Sequence, residues 1–263
     1  MKILAAQFDP VHLDPEANLA RAVSLIGKAS EAGAALLVLP ETWSTGYDLA
    51  AARELRDRSA AIIEPLAQEA RRHGVAVVGS MVLPDGADGA ANAAVLICPD
   101  GSIGLRYAKS HLIDVYREKE IFRAGRTTPT VELAGTRLGV AICYDLRFPE
   151  LFRALVEDGA EVLVVVAEWP AERIGHWELL LRARAVENQA WVVGVNRVGS
   201  DRSTTYGGRS QIVDPWGTVV ASAPPDVETE LVVDLDLDRL RTLRNDFPVL
   251  RDRWLGISEG AGR

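Results

Sequence analysis

Cysteine is scarce in this chain. Two residues of 263, Cys98 and Cys143, cannot build a disulfide framework, and a reduced, cytoplasmic setting is the default expectation. Histidine is nearly as rare: His12, His73, His111 and His176 are scattered, with no pair at ligand spacing and no cysteine cluster beside them. Neither a metal nor a cofactor is expected. No Gly-rich phosphate loop stands between a strand and a helix, since Gly86/Gly89 and Gly207-Gly208 lie in polar, turn-like stretches. No apolar run reaches the roughly 18 residues of a membrane span. The opening MKILAAQFDP meets Asp9-Pro10 too soon for a signal peptide. No basic block stands out among 29 basic and 37 acidic side chains, and the net charge of −8 argues against a nucleic-acid partner.

What is present describes an ordinary globular chain, 48% hydrophobic and 25% charged. Residues 2–8 predict a first strand and 15–32 a helix with Asp14 as N-cap and Gly33 beyond its end. Ala34 to Leu39 is a short continuous apolar run, the mark of a strand buried on both faces. A second helix is expected over residues 58–73, then strands over 75–82, 93–98 and 103–108, with Cys98 in the core. Residues 109–128 read as a long loop, of the kind that is usually functional or mobile. Strands at 130–134 and 136–142 lead to Cys143. Beyond it follow a helix from Glu150, a strand at 161–167, a helix at 175–189 and a strand at 191–196. Strands at 209–213, 218–222 and 231–235 and a short helix at 237–244 precede an irregular tail from about 245. Strands and helices alternate and no linker or repeat divides them, so the expectation is one α/β domain over 1–263.

In an α/β fold, chemistry gathers at the carboxyl ends of strands. Glu41, Lys109 and Cys143 each close an apolar run or follow it by one step. The last stands where Leu138 to Ile142 meets an abrupt turn and then the apolar periodicity of a helix, an arrangement that lifts a nucleophile out of a sheet. An acid, a cation and a thiol suit acyl transfer. Cys143 would attack as thiolate, and Glu41 would take its proton and pass it to the departing amine. Lys109 and the N–H of Tyr144 would hold the oxyanion, where losing one donor typically costs ~10²–10³ in rate. Lys109 should also lower the thiol pKa. Taken singly, each has another reading: Glu41 as a helix cap, Lys109 as a solvated loop charge, Cys143 as a buried hydrophobe.

The segments Leu37-Val38-Leu39-Pro40-Glu41, Tyr107-Ala108-Lys109-Ser110-His111-Leu112 and Gly139-Val140-Ala141-Ile142-Cys143-Tyr144-Asp145 closely resemble the three signature regions of the nitrilase superfamily of carbon–nitrogen hydrolases. The resemblance covers nearly the whole chain, in order. It implies a four-layer α-β-β-α sandwich and a Glu-Lys-Cys triad on Glu41, Lys109 and Cys143. Many members carry a second glutamate after the lysine, to orient the lysine and the leaving group. The stretch Arg117 to Gly125 looks like that region, with Glu118 the better match and Glu120 the other candidate. The family also implies a homodimer or larger assembly through the face carrying the nucleophile helix, and the stretch Asn245 to Leu250 could cross to a partner.

True nitrilases usually follow the cysteine with Trp-Glu, whereas this chain has Tyr144-Asp145. The stretches Trp169 to Arg173, Ala183 to Gln189 and Asn196 to Asp201 resemble the ω-amidase branch, whose members act on α-keto acid amides such as 2-oxoglutaramate or on deaminated glutathione. A small carboxylate-bearing amide needs a cation, and arginine meets a carboxylate with two bonds. Arg173 and Arg147 are the candidates, with an ion pair to Glu150 or Asp145 the other reading of Arg147. Tyr47, Tyr144 and Trp169 could form an apolar wall. An N-carbamoyl hydrolase or nitrilase activity of the same superfamily is the nearest alternative. A papain-like pairing of Cys143 with His111 or His176, and a non-catalytic scaffold, are the more distant ones. His111 reads better as a neighbour of Lys109.

Overall fold

The computed structural model describes residues 1–254. One six-stranded sheet takes its first five strands from the first half of the chain and its sixth from near the end, and the strands between them build the other. The chain opens with β1 (Lys2–Gln7), α1 (Pro15–Glu31) and β2 (Leu36–Val38). Asp14 caps α1 through the N–H of Ala17 at 3.0 Å, as the sequence predicts. Then come α2 (Ala52–Ala61), α3 (Ile63–His73), β3 (Ala76–Asp85), β4 (Gly89–Ile97) and β5 (Ile103–Ala108). The single helix expected over 58–73 is thus two. Pro65 has no N–H to give to the turn before it, so the helix restarts at Ile63 and places the proline in its first turn.

A short α4 (Glu118–Ile121) interrupts the long loop, and β6 (Thr130–Leu133) and β7 (Thr136–Ile142) follow. Cys143–Arg147 form one 3-10 turn before α5 (Pro149–Glu157). The remainder is β8 (Val162–Ala167), α6 (Ile174–Asn188), β9 (Trp191–Asn196), β10 (Gln211–Val213), β11 (Val219–Ser222), β12 (Thr229–Asp234) and α7 (Leu237–Asp246). Among the described residues no helix is long and apolar enough to cross a membrane.

In the first sheet the order is β12-β1-β2-β3-β4-β5, with β1, β2 and β3 parallel. In the second it is β11-β10-β9-β8-β7-β6, with β7, β8 and β9 parallel. Alternation along the strands sorts the side chains. Ile3, Ala5, Leu36, Val38 and Val78 join the core shared with the second sheet. Leu4, Ala6, Leu37, Leu39 and Val77 pack instead on Ala22, Leu25, Ile26, Leu66 and Ala70 of α1 and α3. On the far side, α5 and α6 cover the second sheet. At Gly194 in β9 a Cβ would lie 2.5 Å from Leu181 and 3.0 Å from Trp177, so only glycine lets α6 come this close. The result is the four-layer α-β-β-α sandwich.

One expectation about the periphery needs correction. Cys98 is half-buried at the rim of the core rather than within it. The stretch after α7 folds back on its own chain: the Gln189 amide donates to the carbonyl of Phe247 at 2.7 Å, and Leu250 packs against the core. The tail from residue 255 onward lies outside the described residues.

Candidate active site

Four strand ends converge where the two sheets face each other. From the first sheet, β2 delivers Glu41 and β5 delivers Lys109; from the second, β7 delivers Cys143 and β8 delivers Glu168. All four line a cavity of about 390 Å³. Cys143 opens the 3-10 turn with φ of +46°, a left-handed conformation that a non-glycine residue adopts at a cost. Asp145 holds this turn. Its carboxylate accepts the N–H of Ile142 at 3.0 Å, the Tyr107 hydroxyl at 2.8 Å, and both the backbone N–H and ring Nδ1 of His111 at 3.0 and 2.7 Å. Asp145 therefore ties the turn carrying the sulfur to the segment carrying Lys109.

Lys109 is buried, and its Nζ donates to Glu41 Oε1 at 3.0 Å and Glu118 Oε1 at 2.9 Å. Burial alone would lower its pKa, but the two carboxylates outweigh it and hold the ammonium well above the ordinary lysine value. Glu118 also accepts the Tyr47 hydroxyl at 2.7 Å and the N–H of Ile113 at 2.6 Å. Glu120, the other candidate, points outward and pairs with Arg117 at 2.7 Å. Glu118 is thus the glutamate that meets the lysine. Gly125 closes the loop on Lys109. Its N–H donates to the Lys109 carbonyl at 3.1 Å, and a Cβ there would fall 2.1 Å from the Ala108 carbonyl oxygen.

Glu41 is held from two further sides. The Asn92 amide donates to Oε1 at 2.7 Å and the N–H of Glu168 donates to Oε2 at 2.9 Å, while Cys143 lines the same cavity as the carboxylate. Burial, then the charge of Glu41, push the Cys143 thiol well above its ordinary pKa, with Lys109 pulling the other way. The expectation that lysine makes this a ready thiolate is therefore corrected. At rest the sulfur keeps its proton, in a cavity whose wall also carries the Glu41 carboxylate.

Of the other anticipated residues, Arg147, Arg173, Trp169 and Tyr47 line the cavity. Arg147 has neither Glu150 nor Asp145 as an ion-pair partner. Its guanidinium stands 4.9 Å from the Trp169 ring centroid and 3.2 Å from His176 Nδ1. Arg173 bonds to Glu172 and to the Tyr116 hydroxyl. Tyr47 contributes a polar contact to Glu118 rather than a plain apolar face, and burial followed by Glu118 raises its pKa so that it stays a donor. Tyr144 does not line the cavity with its ring, which turns edge-on to Phe148 at 5.2 Å. His111 stacks on Phe148 at 3.7 Å and His176 is exposed on α6, so neither forms a papain-like pair with the sulfur. Among the described residues no three His, Cys, Asp or Glu side chains gather as metal ligands.

Sequence reading missed Asn92, Asp145 and the pair Glu168–Arg197, which are joined at 3.0 Å. Glu168 follows β8 as Glu41 follows β2, so the rule that found the one applies to the other.

A model of the carbon–nitrogen hydrolase family matches residues 2–245. The chain is 38% identical to the 2-oxoglutaramate amidase of Bacillus subtilis over 95% of its own length and 96% of the relative's. It is 37% identical to omega-amidase YafV of Yersinia enterocolitica, over 96% of each. Among solved structures it resembles a mutant amidase from Nesterenkonia sp. AN1 whose active-site cysteine has added acrylamide. That match has a TM-score of 0.85 and 30% identity over 94% of this chain and 97% of the other.

Proposed function

This chain belongs to the carbon–nitrogen hydrolase family and is an amidohydrolase, and from that premise we propose that it cleaves the terminal amide of a small carboxylate-bearing amide, in the manner of an ω-amidase. The observation that carries this reading is the meeting of sulfur, acid and ammonium at one cavity whose wall also presents Arg147 and Arg173.

In this reading Glu41 takes the proton of Cys143 as the sulfur attacks the amide carbon. Negative charge moves to the carbonyl oxygen. Two N–H groups of the Lys109 ammonium are engaged by Glu41 and Glu118, and the third is directed to that oxygen together with the N–H of Tyr144. Glu41 then returns the proton to the nitrogen, the C–N bond breaks, and ammonia leaves a thioester on Cys143. Water attacks the thioester with Glu41 again as base, releasing the carboxylate product and the thiol. Glu118, fixed by Tyr47 and Ile113, keeps Lys109 aimed. A reducing, cytoplasmic setting is part of the reading, because Cys143 must remain a free thiol.

The relatives named above act on 2-oxoglutaramate or as omega-amidases, and the two arginines support the same substrate class here. An ammonia-release panel tests it, with 2-oxoglutaramate, deaminated glutathione, N-carbamoyl amino acids, aliphatic amides and nitriles side by side. The acidic amides should lead. Arg173→Ala should then raise KM for acidic amides by ~10-fold or more while leaving neutral amides within about twofold. Equal effects on both would remove Arg173 from substrate binding.

We also infer that the chain self-associates through the outer face of α6. Leu179 and Val186 of that helix, with Trp216 and Phe247 beside it, are exposed apolar side chains. Buried polar atoms of Arg153, Arg184, Asn188 and Gln189 lack partners among the described residues. Sedimentation should give a homodimer or larger species, and Val186→Glu should shift it toward monomer.

A further inference from the structure

The carboxylate of Glu168 has no part in the reaction just described, yet it is buried in the wall of the reacting cavity. Its Oε1 accepts the Thr42 hydroxyl at 2.7 Å and its Oε2 accepts the Arg197 guanidinium at 3.0 Å. Through its own N–H it holds Glu41 Oε2 at 2.9 Å. Arg197 lies over the Tyr206 ring at 4.3 Å, and its far arm reaches the carboxylate of Asp9. Position decides what this charge can do. The Glu168 carboxylate bonds the hydroxyl of Thr42, the residue next to Glu41, and the Glu168 N–H bonds Glu41 itself. Glu168 is thus bonded to the segment that carries Glu41, with no bond to the sulfur.

We propose that Glu168 is a positioning residue that drives the proton of Cys143 onto Glu41. An anion bonded to the Glu41 segment and not to the sulfur favours the state in which Glu41 is neutral and the negative charge sits on sulfur. In that step the S–H bond breaks, an O–H bond forms on Glu41, and the charge passes to the thiolate; no other reactant is needed. The inference rests on Glu41 being the base.

The same surroundings make the drive depend on pH. Burial pushes the Glu168 carboxyl up to about 7, with Arg197 opposing and Glu41 adding to the rise. The groups that face it are Arg197 from beyond β9, Glu41 and Thr42 from beyond β2, and Tyr206 from the segment before β10. Asp9, from beyond β1, competes for Arg197. Below that pKa Glu168 is neutral and the push on Glu41 is weak; above it the push is in place.

The test follows two rates between about pH 5 and 9. One is alkylation of Cys143 by iodoacetamide, separated from Cys98 by peptide mass spectrometry; the other is kcat/KM for ammonia release. In the native chain both should rise ~3- to 10-fold through a step near neutrality. Glu168→Gln should remove the step while KM stays within about twofold. Asp9→Asn, at a side chain 43% exposed, leaves Arg197 wholly to Glu168 and should move the step to lower pH. A step that persists in Glu168→Gln, or a change confined to KM, overturns the proposal. Should Glu168→Gln fail to fold, a step that stays in place in Asp9→Asn overturns it. Glu41→Gln separates the two ideas. If it is inactive while the step survives in Glu168→Gln, only the present inference falls; if it still releases ammonia, the assignment of Glu41 falls first.

Discussion

Replacing Cys143 by alanine is expected to reduce ammonia release by on the order of 10⁴-fold or more. In the proposed mechanism the sulfur forms the covalent bond, so its removal takes away the reaction path rather than one contribution to it. The remaining groups would still hold the substrate, and binding of an acidic amide should persist. Stability should change little, because alanine occupies the same left-handed backbone at φ of +46° and the lost sulfur is one small atom. Serine at this position should not restore the rate. A hydroxyl is far harder to deprotonate than a thiol, and Glu41 gains no strength to compensate. Calorimetric binding beside turnover checks both halves; appreciable turnover by the alanine variant would end the thioester mechanism.

Lys109→Met has the second large effect, on stability as well as rate. The lysine, Glu41 and Glu118 side chains are 1% exposed or less. Methionine fills similar space but leaves two buried carboxylates with no cation between them. Breaking a buried pair from one side commonly costs about 3–5 kcal/mol, and losing an oxyanion donor ~10²–10³ in rate on top. The carboxylates would respond by holding a proton. An acid whose folded pKa is raised binds more protons folded than unfolded, so the variant should be most stable in mild acid and lose stability as pH rises. Thermal melts of variant and native chain across that range show it. A variant equally destabilised at every pH would mean that the loss is one of packing alone.

The parts of the site that could be read from the sequence are those that local pattern specifies. Glu41, Lys109 and Cys143 each end an apolar run, and the turn at Cys143 has its own signature between strand and helix. Glu118 could be told from Glu120 only by spacing; the structure adds the reason, since one faces Lys109 and the other solvent. Asn92 was illegible because a polar residue inside β4 gives no hint that its partner is Glu41, 51 positions earlier. Glu168 and Arg197 were legible in principle, as polar residues just past buried strands, but their meaning lies in contacts that span 126 and 188 positions. In the fold, strand and helix order followed periodicity, while Pro65 ended a helix that apolar spacing alone would have continued. The thiol was misjudged because a neighbouring cation is visible in a motif and burial is not.

The base and the ammonium ride on one sheet and the sulfur on the other, so the reactive cluster exists only while two separately hydrogen-bonded slabs stay mated. Each slab can keep its own ladder intact and still slip against its neighbour. A small slip, harmless to either, would shift the acid relative to the sulfur. Work done by this molecule therefore gauges the seam between its halves more sharply than any measure of how much helix and strand it retains.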